Sequence, residues 1–173
     1  KAEELLLAQA QSALAENNLN DAQHAITQAY QLDAQRADIK LVLIDVYIQM
    51  GKTQAAQTLI DSIMMVDQNS YYQALLAKLE LANQAANSPE IQALEAALAN
   101  DPNDIEIQHQ LAAQYSQVNR HEDALKLLFR LVQAGEAQTK DKSKELFLDV
   151  LKALPDGDAV ASKYRRKLYT LMY

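Results

Sequence analysis

The side chains of this sequence that could do chemistry are few, and they do not converge. Its three histidines, His24, His109 and His121, lie far apart and share no metal-ligand spacing. His121-Glu122-Asp123 has the acidic neighbour found in a zinc-protease helix but lacks the second histidine one turn on. With no cysteine there is no thiolate nucleophile and no disulfide, which is compatible with a cytosol. The three glycines are scattered and form no phosphate-cradling loop. The carboxylates are spread along the chain as they are on the solvent faces of helices. The expectation is a non-enzyme that uses neither metal nor cofactor.

What remains is binding chemistry. Lys163, Arg165, Arg166 and Lys167 put four cations within five residues, flanked by Tyr164, Tyr169 and Tyr173. Such a cluster suits an acidic partner surface, where charge speeds association and sets specificity. The rest of the chain has the opposite sign. Residues 1–136 carry 8 Lys/Arg and 18 Asp/Glu, whereas residues 137–173 carry 8 and 5, within a formal net charge of −7. An acidic body repels phosphate backbones and anionic lipid, so neither nucleic acid nor membrane is an expected partner. No segment reaches the roughly 18 apolar residues of a membrane span. Lys-Ala-Glu-Glu before the first apolar stretch does not read as a signal peptide. The start at Lys1, apparently inside a helix, reads as the edge of an excised domain.

The elements that must position these residues follow a 34-residue period. A small residue for a helix crossing falls at Ala22, Ala56 and Ala124, with Glu90 as the exception in the third place. Four residues later come Ile26, Ile60, Leu94 and Leu128, and three beyond those Ala29, Ile63, Ala97 and Leu131. Ala13, Tyr47, Leu81 and Tyr115 hold one position on the preceding helix. This pattern resembles the tetratricopeptide repeat and predicts an all-α array. Four helix pairs are expected, over residues 3–36, 37–70, 71–104 and 105–138, with a non-repeat helical cap over 139–173. Gly51 ends a helix in the second pair, and Asn17 and Asn119 occupy the same slot. Glu90 and a longer Asn83–Pro89 loop mark the third pair as divergent, with splayed or shifted helices. In the cap, Leu146, Phe147, Val150, Leu151 and Leu154 form one apolar face, and Pro155-Asp156-Gly157 breaks the helix before an Asp158 cap. Ala161, Tyr164, Leu168, Leu171 and Met172 give the last helix an apolar stripe.

Tyr47 and Tyr115 read as packing residues, whereas Tyr72 falls at a position that faces the concave side of such an array. The corresponding groove positions are Leu7, Gln11, Leu41, Val42, Asp45, Tyr72, Leu75, Leu76, Leu79, His109 and Ala113. Some co-chaperones grip a C-terminal carboxylate there with Lys, Arg and Asn. The matching residues in this chain are Leu7, Gln11, Val42, Tyr72 and Leu76, none of them cationic. The groove expected from Leu41, Val42, Asp45, Tyr72, Leu75, Leu76 and Leu79 is therefore apolar with one acidic spot, suited to a hydrophobic segment.

The run from Ala153 through Asp158, followed by Ala161-Ser162-Lys163-Tyr164-Arg165-Arg166-Lys167-Leu168-Tyr169, is similar to the end of the chaperedoxin family. These are bacterial cytosolic proteins in which a thioredoxin-like domain precedes a tetratricopeptide region, and the whole chain resembles that second region. The resemblance implies a cytoplasmic, stress-related holdase and co-chaperone that passes unfolding clients to refolding chaperones, including the chaperonin. It also implies that the helix from Lys163 to Tyr173 docks on the chaperonin. The thioredoxin-like domain is absent from this chain, so redox function does not carry over. Two other classes stay open on the residues alone: an adaptor joining folded partners, and an accessory domain of an oxidoreductase.

Overall fold

The computed structural model describes all residues 1–173 and is helical from end to end. The helices are α1 (Ala2–Ala15), α2 (Leu19–Leu32), α3 (Ala37–Gln49), α4 (Thr53–Ile60), α5 (Ser70–Ala86), α6 (Pro89–Asn100), α7 (Ile105–Gln117), α8 (His121–Ala134), α9 (Ala137–Ala153) and α10 (Ala159–Met172). A short 3₁₀ turn covers Met65–Asp67. The chain divides into two compact units, Lys1–Gln84 and Ala85–Tyr173.

In the first unit α2 packs between α1 and α3, with Ala10, Ala22, Ile26 and Ala29 fully buried. Methyl side chains at the crossing let two backbones approach closely, which is why alanine recurs at this place in the period. α3 is buried on nearly all faces, including Ile39, Leu41, Val42, Leu43, Ile44 and Val46. Ala56 and Ile60 of α4 close on it, joined by Leu75 and Leu79 of α5. The second pair is less regular than its sequence. α4 ends at Ile60, and Ile63 reaches the core from a turn in which Ser62 N bonds Leu59 O and the Ser62 hydroxyl donates to the same carbonyl at 2.6 Å. A side chain that takes over a helical acceptor competes with continuation of the helix.

The turn chemistry is as the period requires. Asn17, Gly51 and Asn119 all adopt left-handed φ, at 58°, 75° and 63°. The equivalent place in the third pair is Ala85, whose Cβ disfavours that conformation. α5 accordingly runs on to Ala86, and the long Asn83–Pro89 loop expected from sequence is instead mostly helix. Ser88 then caps α6, accepting from Ile91 N at 3.3 Å with Pro89 at the first turn. Glu90 is exposed, and Ile91 beside it is the buried residue of α6.

In the second unit α8 is the centre: Leu125, Leu128 and Val132 meet Phe147, Val150 and Leu151 of α9 and Ala161, Tyr164 and Leu168 of α10. The rings of Phe129, Phe147 and Tyr164 form a triangle with centroids 6.0–6.3 Å apart. Leu41, Leu75, His109 and Ser143 stand 34 residues apart and all are buried, so one position of the period carries into α9. α10 loses it: Ala161, Tyr164 and Leu168 lie 36 residues after Leu125, Leu128 and Val132. The Pro155-Asp156-Gly157 break delays its start, and Asp158 caps it by accepting from Val160 N and Ala161 N at 2.9 and 3.1 Å.

Candidate functional site

The concave surface expected in the first unit is not open. Leu41, Val42, Leu75 and Leu79 are core residues, and only Tyr72 and Leu76 are partly exposed. α3 and α5 present their leucines to each other, so the positions that line a groove elsewhere here build the interior. Asp45 is likewise no acidic spot on a surface. It is 6% exposed and accepts from Tyr71 Oη at 2.6 Å, Gln49 Nε2 at 2.9 Å and Lys78 Nζ at 3.3 Å. A buried carboxylate is tolerated when its oxygens are paired in this way. Burial, then the Asp45 bond, pushes the Tyr71 hydroxyl far above the ordinary tyrosine range.

An open groove does exist in the second unit, at two positions the period picked out, His109 and Ala113. These, with Ala112, Ser116 and Gln117, lie on one face of α7; Leu146, Asp149 and Val150 of α9 face them and Leu128 of α8 forms the floor. The volume of the groove is about 360 Å³. His109 is buried and shares a 2.8 Å hydrogen bond with Ser143 Oγ. Burial, reinforced by Lys142 and opposed by Glu106, holds the His109 imidazole below the usual histidine range. His121 is held low by burial too, against the pull of Asp158, and its Nδ1 lies 3.4 Å from Ser116 Oγ. No group of histidines and carboxylates is arranged to hold a metal ion.

The basic tail splits into two kinds of residue. Tyr164 is buried, and Lys163 and Lys167 are tied down around it. Lys163 pairs with Glu122 at 3.3 Å, while Lys167 lies 5.0 Å from the Tyr164 ring and 5.7 Å from Phe129. Arg165 and Arg166 are exposed and make no ion pair. The apolar stripe is buried only as far as Leu168; Leu171 and Met172 emerge from the core. Tyr169 and Tyr173, 67% and 88% exposed, stack on each other with centroids 4.9 Å apart. Half of the last helix is thus an anchor and half is a free surface.

One surface escaped the sequence reading. Met64, Met65 and Val66 are 70%, 85% and 86% exposed on the turn after α4. Read as a continued helix, Ile63-Met64-Met65-Val66 is ordinary core; only the early end of α4 turns three of its members outward.

Comparison with known proteins agrees with this architecture. Two tetratricopeptide repeat models match, one over residues 13–79 and the other over residues 84–173. An uncharacterized protein of Haemophilus influenzae is 37% identical over the whole of this chain, which covers 80% of that protein. A crystal structure of a domain of unknown function from Vibrio parahaemolyticus is 38% identical, with a TM-score of 0.89 over 98% of this chain and 99% of the other. Tetratricopeptide modules are in general non-catalytic and bind protein partners, and no helix here is long and apolar enough to cross a membrane. With both halves of the sequence matched and the helix pairs in place, the chain belongs to the tetratricopeptide repeat family.

Proposed function

We propose that this chain is the protein-binding module of a cytoplasmic co-chaperone, which holds unfolding clients and passes them to the chaperonin through its last helix. The observation that carries this reading is the division of α10. Tyr164 and Leu168 hold the helix to α8 and α9, while Arg165, Arg166, Tyr169, Leu171, Met172 and Tyr173 are left to solvent. A helix that served only to cap the array would gain nothing from two unpaired arginines and four exposed apolar side chains. Aromatic and arginine side chains together are the composition of interface centres. The resemblance to the chaperedoxin tail supplies the identity of the partner. The Met64-Met65-Val66 turn supports the holding of clients, because methionine adapts to many apolar partners. Redox chemistry of any preceding domain forms no part of the proposal.

The test reverses Arg165 and Arg166 to glutamate and leaves Lys163 and Lys167, which have structural contacts, untouched. The double variant is expected to lose capture of the chaperonin while melting as the parent does, and parental binding is expected to weaken with added salt. Replacing Met64 and Met65 by serine is expected to weaken suppression of client aggregation without affecting chaperonin capture. Chaperonin capture at parental affinity by the double variant would reduce α10 to a cap.

A further inference from the structure

Sulfur enters this chain only through the thioethers of Met50, Met64, Met65 and Met172, since there is no cysteine. With no thiol to compete, a thioether that meets solvent is the side chain most open to a two-electron oxidant. The four differ in that respect. Met50 is half-buried against the core of the first unit and Met172 is 49% exposed, whereas Met64 and Met65 are adjacent and more exposed than either. The turn that carries this pair is held without their side chains. Ile63 pegs it to the core, Asp67 N donates to Met64 O at 2.8 Å, Gln68 N to Met65 O at 3.2 Å, and Gln68 Nε2 to Ile63 O at 3.4 Å. Neither thioether belongs to a hydrophobic core, and with Val66 the two make up the exposed apolar surface of the turn. A change of polarity at these sulfurs therefore remakes a surface and leaves the packing beneath it intact. Methionine sulfoxide is such a change, because it sets a hydrogen-bonding S=O dipole where the thioether was apolar.

We propose that Met64 and Met65 form a reversible oxidation site, at which a peroxide turns an apolar surface into a polar one and ends its hold on clients. The site stands on exposure and chemistry; its consequence rests on the client-holding reading of this turn and adds the regulation of it. In the step, a sulfur lone pair attacks one oxygen of hydrogen peroxide, an S–O bond forms and the O–O bond breaks. The transferred hydroxyl gives its proton to the departing hydroxide, which leaves as water; sulfur loses two electrons and the peroxide gains them. Return takes two thiols of a methionine sulfoxide reductase, which become a disulfide as the sulfoxide oxygen leaves as water. Partial burial slows the same step at Met50, so the modified chain stays folded.

The test treats the whole chain briefly with hydrogen peroxide and maps each methionine by peptide mass spectrometry. Met64 and Met65 are expected to gain oxygen at least about fivefold faster than Met50. The melting temperature is expected to hold. Nile red binding and suppression of heat-denatured malate dehydrogenase aggregation should each fall about twofold or more, and recover with a sulfoxide reductase and dithiothreitol. The Met64→Leu/Met65→Leu variant, compared only with itself before treatment, should keep its dye binding and its suppression, although Met50 and Met172 remain oxidisable in it. Met64→Gln/Met65→Gln, which places polar side chains there without an oxidant, should bind less dye than the parent. Oxidation of Met50 as fast as the pair, a melt lowered by the brief treatment, or an equal loss in the leucine variant overturns the inference. So does selective oxidation that leaves dye binding or suppression as it was. A parent chain that suppresses no aggregation at all ends the client reading alone; mapping and dye binding then decide the oxidation site, so the two readings fail separately.

Discussion

Tyr164 is the residue by which the last helix is held, and its replacement measures that hold. The side chain is 2% exposed and stands edge-on to Phe129 and Phe147 at 6.3 and 6.2 Å. An aromatic residue buries about 150–250 Å², which at about 25 cal/mol per Å² corresponds to about 4–6 kcal/mol. This is an upper bound, since the unfolded chain already hides part of that area. Truncation of buried aromatic residues to alanine costs about 3–5 kcal/mol, and the two edge-on ring contacts are contained in that value. Tyr164→Ala is therefore expected to lower stability by about 3–5 kcal/mol, or Tm by roughly 6–20 °C for a chain of this size. The Tyr164 hydroxyl makes no hydrogen bond to protein, so Tyr164→Phe should stay within about 0.5 kcal/mol of the parent. Urea unfolding followed by far-UV circular dichroism measures both. A loss below about 1 kcal/mol in the alanine variant, with Phe147→Ala costing its full amount, would refute the reasoning. It would show a core of α7, α8 and α9 on which α10 lies without being held.

Three further outcomes follow from the same contacts. Asp45→Ala removes the acceptor of Tyr71, Gln49 and Lys78 and is expected to cost about 1–3 kcal/mol by denaturant titration, more than Tyr71→Phe. Ala56→Trp and Ala124→Trp overpack fully buried crossings and should each lose about 1–3 kcal/mol or more, whereas Glu90→Trp, at an exposed position, should melt within about 0.5 kcal/mol of the parent. His109 and His121 are both held below the ordinary histidine value, chiefly by burial. The unfolded chain therefore takes up more protons as pH falls through about 6.5, so their contribution to stability is complete above that pH and is lost below it. Urea midpoints are expected to fall between about pH 7.5 and about pH 5.5, and His109→Gln should reduce the fall.

The period of the sequence was enough to determine that helices recur in pairs and which small residues lie at their crossings, but not where α4 and α5 end. Ala22, Ala56 and Ala124 are buried because a crossing of two backbones admits only a small side chain, and that constraint is local and recurs every repeat. The left-handed turns at Asn17, Gly51 and Asn119 were legible for the same reason, since few residues accept that conformation. The split character of the basic tail was half legible: four cations and three tyrosines are plain in the sequence, but not that Lys163 and Lys167 pack around Tyr164 while Arg165 and Arg166 stay free. Tertiary structure alone decided which groove positions are open. Leu41, Leu75, His109 and Ser143 occupy one position of the repeat, yet the first two vanish into a core and His109 borders a cavity. Whether such a place is filled depends on the volumes of side chains on two helices at once, summed across a contact that a period along one chain does not contain. The outward turn of Met64, Met65 and Val66 has the same origin: it follows from where α4 stops, not from the hydrophobicity of the residues beyond it.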